Sequence, residues 1–253
     1  MINKDNLTHI ISEFNNSFNL VNEAKGRNFN SKELAGYIDH TLLKSDAVKS
    51  EIAVLCSEAK KYGFASVCVN PSYVDLCTKQ LFGSTVKVCT VIGFPLGANE
   101  TATKIDEAEL AISSGASEID MVLNIGKLKD NEQDYVQTEI LSISELCHKN
   151  NVFLKVIIET SLLKKEEIVL ASLLALNAKA DFVKTSTGFS KGGATIQDVA
   201  LMKFTVGNGA KIKASGGIRS YEDAVLMILN GASRIGTSSG INIVEKSASQ
   251  ADY

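Results

Sequence analysis

From about Gly36 onward, short apolar, β-branched runs take turns with helical patterns eight times over. This alternation constrains the chain more than any other feature. Parallel strands need a crossover long enough to hold a helix, so it reads as successive βαβ units. The spacing predicts strands over 36–38, 65–69, 86–92, 118–123, 153–158, 182–184, 211–214 and 233–236. Helices are expected over 45–62, 100–114, 131–149, 165–176 and 221–229. The last carries both end signals: Ser220 as N-cap with Asp223 three residues on, and Gly231 just past the end.

Three helix-to-strand junctions superpose: Gly115-Ala116-Ser117-Glu118-Ile119-Asp120, Lys179-Ala180-Asp181-Phe182-Val183-Lys184 and Gly231-Ala232-Ser233-Arg234-Ile235-Gly236. Asp120, Lys184 and Gly236 then fall at one depth. A doubly wound sheet gives the same junctions with fewer paired strands; the count of eight favours a (β/α)8 barrel. At 253 residues the chain is normal for one such barrel, though length alone leaves one or two domains open; with the count of eight, 36–253 is expected to form a barrel domain with a C-terminal tail.

Residues 1–35 stand outside the alternation. Leu7, Ile10, Ile11, Phe14, Phe18 and Val21 recur at helical spacing, which predicts an amphipathic helix followed by a polar connection over 26–32. Its apolar face needs cover. The plain expectation is a helix under the barrel bottom, and a partner-binding helix is the alternative.

The balance of 26 Lys and Arg against 29 Asp and Glu, net -3, offers no basic field for a nucleic acid. Five cysteines, an odd number without a C-x-x-C, read as buried free thiols in a reducing cytoplasm. The first residues lack an apolar core, and no apolar run is long enough to span a bilayer. A soluble, cytoplasmic protein is expected.

Loops after the seventh and eighth strands of such barrels commonly hold a phosphate. Here they read Ala214-Ser215-Gly216-Gly217-Ile218-Arg219 and Gly236-Thr237-Ser238-Ser239-Gly240. Paired glycines let backbone N–H groups approach an anion, and the serines add donors at a helix start. Gly188 is placed to add a third wall. A lone Gly-Gly makes only a tight turn; two such loops in consecutive positions point to a small phosphorylated metabolite.

Lys155, Lys184 and Lys213 lie on strands. A single strand lysine snorkels to the rim, but three converging on one mouth suggest anion binding or a deliberately neutral amine. Lys184 and Lys213, on neighbouring strands, can form a pair in which the second ammonium disfavours the first, making Lys184 the candidate nucleophile. Asp120 either moves protons through a water or holds a lysine. His9, His40 and His148 are not spaced as ligands, so no metal site is expected, and His40 reads as a hydrogen-bonded structural histidine.

Ile38-Asp39-His40-Thr41-Leu42-Leu43, Val67-Cys68-Val69-Asn70-Pro71, Gly93-Phe94-Pro95-Leu96-Gly97, Glu118-Ile119-Asp120-Met121-Val122, Lys155-Val156-Ile157-Ile158-Glu159-Thr160, Phe182-Val183-Lys184-Thr185-Ser186-Thr187-Gly188, Lys213-Ala214-Ser215-Gly216-Gly217 and Gly236-Thr237-Ser238-Ser239 follow one another in that order. Together they resemble the deoxyribose-phosphate aldolase family over residues 36–240. The resemblance implies a class I lyase of deoxyribose phosphate catabolism that needs no metal or other cofactor. It would cleave 2-deoxy-D-ribose 5-phosphate reversibly to acetaldehyde and D-glyceraldehyde 3-phosphate through a lysine imine. It further implies Lys184 as the Schiff-base lysine, Lys213 as its neighbour and Asp120 as the acid working with water. Thr187, Gly188, Gly216, Gly217, Ser238 and Ser239 would meet the substrate and its phosphate, and Tyr253 at the C-terminus would act in proton transfer. The partners implied are the small sugar phosphate and aldehydes, neither nucleic acid nor membrane, and a second copy of the chain, most simply in a dimer. The leading segment exceeds the family pattern and would either add a dimer contact or cover one.

Overall fold

A computed structural model describes residues 1–24 and 28–251, with side chains through residue 246. Two helices, α1 (Lys4–Ser17) and α2 (Ser31–Ala35), come before the first strand. Eight parallel strands then close on one another in chain order. They are β1 (Ile38–Leu42), β2 (Ser66–Val69), β3 (Lys87–Ile92), β4 (Glu118–Val122), β5 (Phe153–Ile157), β6 (Phe182–Lys184), β7 (Lys211–Ser215) and β8 (Ala232–Thr237). The helices that follow strands are α3 (Lys49–Tyr62), α4 (Val74–Gln80), α5 (Thr101–Ser113), α6 (Ile125–Lys129), α7 (Gln133–Lys149), α8 (Lys165–Asn177), α9 (Ile196–Val206), α10 (Tyr221–Leu229) and α11 (Gly240–Ala251). β8 closes on β1 with Asp39 opposite Gly236.

Strand register sorts the inward residues into layers drawn from alternate strands, as closure of a tilted barrel requires. Ser66, Glu118, Phe182 and Arg234 form the lowest layer; Asp39, Cys89, Lys155 and Lys213 lie above it, and then Cys68, Asp120, Lys184 and Gly236. The expected common depth of Asp120, Lys184 and Gly236 is therefore observed. Gly236 has a steric reason to be glycine: a Cβ there would lie 3.1 Å from Lys213 Cε and 2.9 Å from Ser215 Cβ. The apolar core lies outside these layers, between strand backs and helices, and includes Ile38, Val67, Ile119, Val156, Val183 and Ile212.

β1 departs from expectation. It runs over Ile38–Leu42 rather than 36–38, because Gly36 ends α2 and the Tyr37 amide turns back to the Leu34 carbonyl. The strand was hidden because its inward residue is ionic. Ser31 and Lys32, expected at the end of the polar connection, instead open a helix over 31–35: the Asn30 side chain accepts from the Glu33 amide while Glu33 accepts from the Asn30 amide, a capping box that supports a single turn. α1 stops at Ser17, so Phe18 and Val21 lie beyond the helix. Nor does α1 sit under the barrel. It packs on α8 and α9 as a second layer outside the helical ring, with Leu7 and Phe14 buried and Phe14 edge-on to Phe204 of α9. The capping box of α10, Ser220 with Asp223, is present as expected.

Candidate active site

The inward layers concentrate charge where a barrel normally packs aliphatic side chains. Asp120 is fully buried at the centre. Its Oδ1 accepts from Lys155 Nζ at 2.9 Å and from Cys89 Sγ at 3.1 Å. Its Oδ2 accepts from Lys184 Nζ at 2.7 Å and Lys213 Nζ at 2.6 Å. Lys155 also lies 2.6 Å from Glu118, and Lys213 lies 2.6 Å from Asp39 Oδ2, off the direction of a hydrogen bond. Arg234 crosses the floor, pairing with Glu118 at 2.8 Å on the opposite strand and with Asp39.

Burial alone would neutralise each of these groups, but their neighbours outweigh it. For Asp120 burial favours the acid, yet Lys155, Lys184 and Lys213 together hold its carboxyl well below the usual range. Asp39 is likewise depressed by Lys213 and Arg234 against its burial. Burial pulls Lys155 and Lys213 down, while Asp120, with further anionic neighbours, holds both ammonium groups above the ordinary lysine value. Three carboxylates (Asp39, Glu118, Asp120) thus face four cations (Lys155, Lys184, Lys213, Arg234). Lys155, Lys213 and Arg234 each touch two carboxylates; among the described residues Lys184 touches only Asp120, through an oxygen it shares with Lys213.

Lys184 forms part of the floor of a cleft at the C-terminal ends of the strands. Thr187, Gly188, Gly216, Gly217 and Ser238 line it as well. Ser239 is not among the lining residues; it stands at the start of α11, its amide donating to the Thr237 hydroxyl at 2.9 Å and its carbonyl accepting from Ile243. The amides of Gly188, Gly217 and Ser238 have no hydrogen-bond partner among the described residues. Gly216 is pressed against the loop between β6 and α9: its carbonyl accepts from the Ala194 amide at 3.0 Å, and a Cβ on Gly193 would meet that oxygen at 2.1 Å. Tyr253 lies outside the described residues.

Several residues at the site were not singled out from sequence. Asp39, Glu118 and Arg234 complete the ionic floor. Lys44 and Arg219, both exposed, and Phe189, edge-on to Phe94 with ring centroids 5.2 Å apart, border the mouth. Arg219 had one signal, its place directly after Gly216-Gly217-Ile218. His40 faces away from the cleft, hydrogen-bonded to Glu58 of α3 at 2.8 Å and packed on Phe64, a structural role as expected.

The sequence matches the DeoC/LacD family aldolase over residues 34–246. The chain belongs to that family. A deoxyribose-phosphate aldolase of Geobacillus sp. (strain WCH70) is 56% identical over 220 residues, which is 87% of this chain and 98% of the relative. One of Caldicellulosiruptor saccharolyticus is 57% identical over 217 residues, 85% of this chain and 98% of that one. Among solved structures, the deoxyribose phosphate aldolase from Aeropyrum pernix, whose structure is tetrameric, is 35% identical with a TM-score of 0.82, covering 87% of this chain and 93% of its own.

Among the described residues Cys68, Cys89 and Asp120 form the one group whose ligand atoms lie close enough together to hold a metal ion. Lys155 Nζ stands 3.3 Å from Cys89 Sγ and 2.9 Å from Asp120 Oδ1, so an ammonium already occupies the cationic corner of that cluster. All five cysteines are buried free thiols. Among the described residues no helix is long and apolar enough to cross a membrane.

Proposed function

We propose that this DeoC/LacD aldolase reversibly cleaves 2-deoxy-D-ribose 5-phosphate to acetaldehyde and D-glyceraldehyde 3-phosphate through an imine on Lys184. The observation that carries the reading is the position of Lys184: a buried amine with one shared carboxylate contact, at the floor of a cleft walled by glycine loops with free amides. The relatives at 56% and 57% identity are deoxyribose-phosphate aldolases.

An amine attacks a carbonyl only when unprotonated. With three cations each held by two carboxylates, releasing the proton of Lys184 leaves three cations against three anions, and no buried charge is stranded. Lys184 Nζ adds to the C1 aldehyde of the open-chain sugar, and loss of water gives the iminium. The C3 hydroxyl gives its proton to a water in the cleft, the C2–C3 bond breaks, and its electron pair moves into the iminium. D-Glyceraldehyde 3-phosphate leaves, the enamine is protonated at C2, and water releases acetaldehyde and the free amine. Asp120, ionised and saturated with donors, holds Lys184 and Lys213 in place, while Lys213 supplies fixed positive charge beside the amine. The phosphate rests on the amides of Gly188, Gly217 and Ser238, with Gly216 and Ser239 shaping the two loops around it.

No metal or other cofactor takes part in this route. Five buried free thiols favour a cytoplasmic enzyme, and a homo-oligomer, most simply a dimer, is part of the proposal. In this proposal residues 36–253 are the catalytic unit and 1–35 an extension, whose α1 packs on α8 and α9 and whose α2 packs on α11. Following acetaldehyde release tests the reaction: 2-deoxyribose 5-phosphate is cleaved, ribose 5-phosphate far more slowly, and EDTA changes neither rate. Preference for ribose 5-phosphate, or strong loss with EDTA, overturns it.

A further inference from the structure

Among the described residues, four that are not glycine adopt a positive φ: Asn131, Asn151, Glu159 and Lys179. Asn131, Asn151 and Lys179 are exposed turn residues, whereas Glu159 (φ 55°, ψ 65°) is buried at the end of β5. A left-handed, non-glycine backbone and a buried carboxylate are both unfavourable, and this position has both. Their effect is local and definite. Glu159 Oε2 accepts the Thr187 amide at 3.1 Å and also the Thr187 hydroxyl. The Thr187 oxygen in turn accepts the Phe189 amide at 3.0 Å, closing the turn around Gly188 (φ 85°). Alongside, the Thr160 amide donates to the Thr185 carbonyl at 3.0 Å and the Ile158 amide to that of Lys184 at 3.0 Å. Thr187, Gly188 and Phe189 border the cleft. The Thr187 hydroxyl is therefore spent inside the protein, on Glu159, and does not point its proton at a ligand.

We propose that Glu159 is a positioning residue for phosphate recognition: it acts through Thr187 to hold the Gly188 amide where the substrate's phosphate docks. The inference rests on the phosphate reading given above and deepens it. The left-handed backbone of Glu159 aims its carboxylate at the loop after β6, and the two bonds to Thr187 transmit that placement to the turn. The Schiff-base lysine is held separately, through Asp120, so the anchor bears on which sugars bind well rather than on imine formation.

Glu159→Gly suits the test, because glycine adopts a positive φ without strain and the variant is expected to fold. The readout is the ratio of kcat/KM for 2-deoxyribose 5-phosphate to that for unphosphorylated 2-deoxyribose. The ratio should fall about tenfold or more in Glu159→Gly, mainly through KM for the phosphorylated sugar. Glu159→Gln, which keeps one acceptor oxygen for Thr187, should stay within about threefold of wild type. A ratio unchanged in Glu159→Gly, whether or not both rates drop, overturns the anchor, as does Glu159→Gln behaving like Glu159→Gly. A wild type that does not distinguish the two sugars defeats the phosphate reading itself; one that does, alongside a Glu159→Gly that still does, defeats only the anchor.

Discussion

Lys184 and Lys213 meet on a single oxygen, Asp120 Oδ2, at 2.7 and 2.6 Å. They are also direct register partners on β6 and β7, so the strand ladder itself brings the two ammonium groups to one acceptor. Two cations on one carboxylate oxygen can be relieved if one of them gives up its proton, and only Lys213 has a second carboxylate, Asp39, to hold it.

Lys213 is therefore expected to matter as a charge. Lys213→Met should lower kcat by about 10²-fold or more, whereas Lys213→Arg should retain a measurable part of it. Steady-state kinetics with a thermal melt on each variant checks this, since removing one member of a buried ion group also costs about 3–5 kcal/mol. Equal activity in the Met and Arg variants would count against a role for the charge.

The acid limb of stability follows from Asp39. Its carboxyl is depressed in the folded protein, so the contribution is complete above the ordinary carboxylate value and is lost as pH falls below about 4, where the unfolded chain takes up the proton first. Urea unfolding at a series of pH values should show stability falling with acid, and Asp39→Asn should flatten that slope while lowering stability at neutral pH.

A separate buried pair offers a contrast. Lys104 of α5 and Glu139 of α7 lie 2.8 Å apart, both inaccessible to solvent. Burial outweighs their attraction, pulling Lys104 down and pushing Glu139 up. Each single apolar substitution should cost about 3–5 kcal/mol, and the double change Lys104→Met with Glu139→Leu much less than their sum. Chemical denaturation of the three variants completes the cycle.

The seventh loop can be probed without disturbing packing. A Cβ on Gly217 meets no atom within 4 Å, so Gly217→Ala carries only the strain of its φ of 81°, about 1 kcal/mol. The same methyl would stand beside the free amide assigned to phosphate. KM for the phosphorylated sugar should rise about tenfold while the melting temperature moves by only a few degrees.

Local chemistry was legible in the sequence. The eightfold alternation, the capping box of α10 and the common depth of Asp120 and Lys184 depend on neighbours within one βαβ unit. Partnerships across the barrel were not. Arg234 on β8 and Glu118 on β4 lie far apart in the chain, and their pairing has meaning only once the sheet closes. β1 was displaced because Asp39 breaks an apolar run for the sake of partners on β2, β7 and β8. Glu159 gave no signal at all, since its left-handed backbone and its bonds to Thr187 exist only in three dimensions.

The imine is open to direct capture. Wild-type enzyme treated with acetaldehyde and borohydride, digested and mapped by mass spectrometry, should carry a single ethyl group on the peptide containing Lys184, and Lys184→Ala should carry none. An ethyl group on Lys155 or Lys213 in the wild type, or no adduct under conditions that support turnover, contradicts the assignment of Lys184 as the nucleophile.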